Sequence, residues 1–164
     1  MAFFESHPDR SLLFDENIVH SWNAVIPQAA GRGEEFFDQL AQALEAAGIP
    51  ELKTHRGEAE TMRVKERSKG LYVRPALFVF SNEAPAGDYN FIFTTQDFGK
   101  HLVLSRMVQE QKAIGYSKFE KEMLGAYFSM VNSVMLAVAK KLAEDVGQDF
   151  SKINAQSKGT IDIV

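Results

Sequence analysis

Hydrophobic and polar positions follow two different periods along this chain. From Ser117 to Gly147 the period is helical. At about 100° per residue, Phe119, Met123, Leu124, Tyr127, Phe128, Met130, Val131, Val134, Met135, Val138 and Leu142 share one arc of roughly 180°. That pattern predicts one long helix with a broad buried face. Ser117 and Glu120 have the spacing of a capping box, in which each side chain answers a free backbone N–H. Gly147 stands where a left-handed C-cap residue is expected.

The middle of this helix carries no charge. There is no Asp, Glu, Lys or Arg from Met123 to Ala139. The face opposite the apolar arc holds Gly125, Ser129, Asn132, Ser133 and Leu136. A solvated helix back usually carries charge, so protein is expected to cover this one. The cover is either another helix of the same chain or a second subunit. Gly125, Ser129, Ser133 and Ala137 repeat at i+4, which lets another backbone come close. A membrane span is not expected, because the uncharged stretch reaches only ~26 Å and a span wants about twenty apolar residues.

Upstream the pattern is mixed. Residues 1–10 read as an irregular lead-in. From Asp15 a short helix is expected, with Ile18, Trp22 and Val25 at helical spacing and Pro27 ending it; a strand over Ile18 to Ile26 is the alternative. Glu34 to Ala47 predicts a clearer helix, with Phe36, Phe37, Leu40, Ala41 and Leu44 as its stripe and Gly48 and Pro50 closing it.

The period then becomes two. Leu52 to Glu66 predicts one strand, or two broken at Gly57. Leu71 to Phe80 predicts another. Pro75 lies inside it and cannot donate to a ladder, so an edge position or bulge is expected there. Tyr89 to Gln96 and His101 to Val108 predict a hairpin around Asp97-Phe98-Gly99-Lys100. Residues 148–164 read as a polar tail with a possible terminal strand in Thr160 to Val164. The expected fold is a single α+β domain. It has an antiparallel sheet of about four strands, with N-terminal helices and the long C-terminal helix packed on one face. In this order of elements it is similar to helix-grip ligand-binding domains.

Composition sharpens the picture. Phe supplies thirteen of the eighteen aromatics, and a ring without a polar handle belongs in a core or an apolar pocket. Phe78, Phe80, Phe91, Phe93, Tyr127 and Met130 are therefore candidates to line a ligand pocket between sheet and long helix. With no cysteine, disulfides and thiolate chemistry are excluded. The net charge of −4 argues against nucleic acid, whose binding rests on phosphate neutralisation. Residues 1–10 contain no apolar run of the kind a signal peptide has, so a cytoplasmic location is expected.

Little catalytic chemistry is legible. His55, Glu58 and Glu60 resemble a metal cluster, but His55 and Glu58 face opposite ways on a regular strand. No metal, cofactor or catalytic residue is assigned. A Gly-x-Ser-x-Gly elbow is absent. The stretch Lys53 to Arg74 is locally basic, with seven cations against three carboxylates, while the rest of the chain carries −8. Within it, Arg63, Lys65 and Arg67 are candidates for an anion or an acidic protein partner. The expected function is a non-catalytic binding or assembly domain that self-associates as a homo-oligomer. The alternative is a carrier or sensor of a small apolar ligand in the Phe-lined pocket between sheet and long helix, and an enzyme built in that pocket is a distant third.

Overall fold

A computed structural model describes residues 10–62, 71–111 and 115–159. Its elements are β1 (Arg10–Leu12), β2 (Ile18–Ile26), α1 (Gly33–Ala46), β3 (Leu52–Met62), β4 (Leu71–Ser81), β5 (Tyr89–Phe98), β6 (His101–Glu110), α2 (Lys118–Asp145) and β7 (Asn154–Gly159). The seven strands form one sheet in the order β1-β3-β4-β5-β6-β2-β7.

This corrects the expected architecture in three ways. The sheet has seven strands, not about four. It is mixed, because β1 runs parallel to β3 while the other pairs are antiparallel. Among the described residues a single α-helix, α1, precedes the β3–β6 meander, and β1 and β2 come before it. The segment after Asp15 makes only a 3₁₀ turn, Asp15–Asn17, and then extends. The extended form wins because β2 lies between β6 and β7, so both of its backbone edges are paired. Its inward positions, His20, Trp22, Ala24 and Ile26, stand opposite Val108, Arg106, Leu104 and Leu102.

Local chemistry accounts for the other elements. Gly57 does not break β3; it pairs with Ala76 in a continuous ladder. The β4–β5 ladder spans Ala76 to Val79. Pro75 therefore sits just where β4 has β3 for a neighbour and lacks β5, an edge position of the kind that tolerates proline. The β5–β6 hairpin closes through Gly99 and Lys100, and Gly99 supplies the positive φ of +61° that the turn needs.

In α2, Ser117 Oγ accepts from the Glu120 N–H at 3.2 Å, and Glu120 Oε1 accepts from the Ser117 N–H at 3.0 Å. At the other end Gly147, at φ +76°, turns the chain so that the Gln148 N–H reaches the Ala143 carbonyl at 2.9 Å.

Both helices bury their apolar sides on the same face of the sheet, against Leu77, Val79, Phe91, Phe93, Leu102, Leu104 and Val108. A smaller cluster, with Leu13, Ala59, Ala76, Phe78, Phe80 and Ile92, lies on the second face. Strand alternation decides the split: Phe91 is opposite Val79 and Ile92 is opposite Phe78.

Candidate functional site

The side of α2 that reaches the sheet is not centred where helical periodicity alone places it. Leu124, Tyr127, Phe128, Val131, Asn132, Met135, Val138, Ala139, Leu142 and Ala143 are buried. Phe119, Met123 and Met130, expected in the buried arc, point outward with 75%, 60% and 41% exposure. The expected contact face divides accordingly. Gly125 and Ser133 are exposed, Ser129 and Leu136 are half-buried, and Asn132 is inside.

A polar contact beneath the helix explains this setting. Arg106 of β6 is 2% exposed and faces α2. One Nη donates to Asn132 Oδ1, and the other meets His20 Nδ1 at 2.7 Å. A guanidinium can only donate, so the neutral His20 ring must accept at Nδ1 and hold its proton on Nε2. Burial lowers Arg106 to about 10. Burial first, and then the Arg106 charge, push His20 below its usual 6.5. Asn132 is turned toward the sheet because an amide oxygen there satisfies a buried cation. Arg106 occupies an inward position in the alternation Leu102, Leu104, Arg106, Val108. That position is a legible signal of an inward-pointing cation.

The candidate pocket residues do not share one cavity. Phe91, Phe93 and Tyr127 lie between sheet and α2, where the rings interlock. Phe91 meets Tyr127 at 5.5 Å and 72°, and Tyr89 meets Phe128 at 5.1 Å and 88°. Phe78 and Phe80 lie on the second sheet face. Met130 borders a cleft beside α2 of about 150 Å³, walled by Met123, Ala126, Pro50, Ala84 and Pro85. Tyr127 also reaches this cleft, and its buried hydroxyl has no hydrogen-bond partner among the described residues. Burial holds that hydroxyl well above its usual pKa. The cleft is smaller than ordinary ligand sites, which start near ~300 Å³.

Arg63, Lys65 and Arg67, the candidate anion or acidic-partner patch, lie outside the described residues, as does the possible terminal strand in Thr160 to Val164. The strand that follows α2 is Asn154–Gly159, fully exposed at the sheet edge. His55 stacks on Phe78 with centroids 6.4 Å apart, and Glu58 and Glu60 take the register positions of the opposite face. By length and composition α2 could cross a membrane, with a mean hydropathy of 1.3 in its most apolar window, but a helix buried in a core meets the same criterion.

What remains distinctive is the outward surface of α2. Phe119, Met123, Ala126, Met130, Ser133 and Ala137 recur there at three- and four-residue steps, with Ser129 beside them, and all are exposed or half-buried. Charges bound this strip at Lys118 and Glu122 on one end and at Lys140 and Glu144 on the other, and all four are exposed. The chain matches no protein-family model, no curated protein and no solved structure.

Proposed function

We propose that this chain is a non-catalytic assembly domain that pairs with a second copy of itself through the outward face of α2. The observation that carries this reading is the exposure of Phe119, Met123 and Met130 on one helix face whose middle has no charge. Apolar helix surface of this kind stabilises a complex when a partner removes it from water. The cleft beside Met123 and Met130 offers room for side chains from such a partner.

Charge favours a second copy of the chain, packed antiparallel. Glu122 and Lys140 lie equally far on either side of Val131, as do Lys118 and Glu144. A two-fold axis passing at the level of Val131 therefore sets Glu122 against Lys140 of the second copy, and Lys118 against Glu144. A parallel pairing would set each charge against its own kind. Docking of α2 on the sheet, by Tyr127, Phe128, Val131 and Met135, leaves the strip free for this contact.

Sedimentation velocity tests the reading. Wild-type protein should pass from monomer to dimer as concentration rises. Met130→Lys, at an exposed position, should remain monomeric with an unchanged circular dichroism spectrum. A wild-type protein that is monomeric throughout, or a Met130→Lys protein that still dimerises, would refute it.

A further inference from the structure

The second face of the sheet carries a trough independent of the α2 surface. One register line crosses the strands as Gly57, Ala76, Thr94, Ser105 and Asn23. Every side chain on it is small, so it forms a low floor. Larger residues rise on either side, with Ile92 and Met107 on one flank and Tyr72 and Arg74 on the other. The resulting cavity encloses about 300 Å³, with Thr94, Ser105, Asn23, Arg74, Tyr72 and Met107 among the residues lining it. That volume is at the lower end of the ~300–1,000 Å³ range of small-molecule sites.

Two groups in the trough lack what a folded chain normally provides. Thr94 is 1% exposed, lies on the floor and has no hydrogen-bond partner for its hydroxyl among the described residues. A buried hydroxyl without a partner is costly, and a ligand would supply the missing one. Arg74 is half-buried at the wall. Its guanidinium stands 5.5 Å from the centre of the Tyr72 ring, and no carboxylate forms an ion pair with it among the described residues. The described lining contains no acid, because Glu58 and Glu60 take the register positions of the other face. Arg74 is also the one cation among those lining residues.

From this arrangement we infer that the trough is a binding site for a small organic monocarboxylate with an apolar or aromatic body. The planar guanidinium fork matches a carboxylate. Tyr72, Leu13 and Met107 contact the apolar body, and the Thr94 and Ser105 hydroxyls take up polar atoms at the floor. A single cation among the described lining residues suits a monoanion better than a phosphate dianion.

The probe is 2-naphthoate, titrated into the full-length protein and followed by amide ¹H–¹⁵N shifts and calorimetry. Saturable binding is expected, with shifts at Thr94, Ser105 and Asn23. Neutral 2-naphthamide should bind about tenfold more weakly, the loss of one charge-assisted hydrogen bond. Arg74→Gln should weaken 2-naphthoate to the level of the amide, and the isosteric Thr94→Val should weaken both probes alike. 1-Naphthyl phosphate should bind no more tightly than 2-naphthoate. Should Thr94→Val not fold, Arg74→Gln at its half-exposed position still decides the question. The site is overturned by an absence of saturable binding at millimolar probe, by shifts confined to α2, by an Arg74→Gln protein of wild-type affinity, or by tighter binding of the phosphate.

Discussion

Arg106 of β6 and Asn132 of α2 hold each other across the sheet–helix interface, guanidinium to amide oxygen, and both are buried. The acceptors around this cation are neutral: Asn132 Oδ1 and His20 Nδ1. Its Nε is buried without a partner among the described residues. Removing one acceptor should therefore cost more than removing the whole polar group. Asn132→Leu is expected to destabilise by about 1.5–3 kcal/mol, the range for hydrogen bonds to charged groups. Arg106→Met combined with Asn132→Leu should recover most of that loss, because well-packed apolar replacements of buried charged groups are often neutral or better. Urea denaturation of the single and double variants measures the difference. A double variant as unstable as Asn132→Leu alone would contradict this account.

The same contact sets a pH dependence. His20 is held neutral, with its pKa below 6.5 by burial and by the Arg106 charge. The native state then binds fewer protons than the unfolded chain, so the contribution is present above 6.5 and is lost as pH falls below it. Arg106, lowered only to about 10, keeps its charge across this window. The urea midpoint should fall between about pH 7 and pH 5, and His20→Asn, which keeps an acceptor without a titrating group, should flatten that fall. An unchanged slope in His20→Asn would assign the pH effect to other groups.

The register proposed for α2 pairing makes a separate prediction. Glu122→Lys alone, or Lys140→Glu alone, should weaken the dimer by about tenfold at low salt, and the double variant should restore it. The existing Lys140–Glu144 contact, 4.0 Å within one helix and exposed on both sides, contributes little to folding. Sedimentation at matched ionic strength reads the three variants. Restoration that fails would rule out an antiparallel contact centred on Val131.

Asn90 is the clearest place to gain stability. It is 0% exposed, opposite Gln109 in the β5–β6 ladder, and neither atom of its side-chain amide has a partner among the described residues. Replacing it with Leu, which has a similar shape, removes that desolvation cost. A gain of about 1 kcal/mol is expected, or a melting temperature higher by roughly 2–4 °C. A loss would mean that Leu does not pack at this position.

The strongest local signals in the sequence determined their elements. The capping box at Ser117 and Glu120, the C-cap at Gly147, the Phe36–Leu44 stripe and the Gly99 turn all specify short-range geometry, and each forms as its chemistry requires. The weaker signals depended on neighbours. β7 has no apolar alternation to read, because all of its side chains are exposed and its backbone pairing with β2 makes it a strand. β1 is three residues long and exists through its parallel contact with β3. Ile18 to Ile26 is compatible with either period, and two flanking strands made it extend.

The setting of α2 shows the same division. Periodicity established that one broad side is apolar, but an arc near 180° leaves its centre undetermined. The buried Arg106 decided the matter by drawing Asn132 inward, and Met123 and Met130 were turned out to solvent. The second-face trough could not be read from the chain either. Gly57, Ala76, Thr94, Ser105 and Asn23 come from five different strands, and only strand register brings them onto one line. Sequence determines what each residue can do locally; pairing over long distances along the chain determines which residues meet, and the candidate surfaces of this protein are made of such meetings.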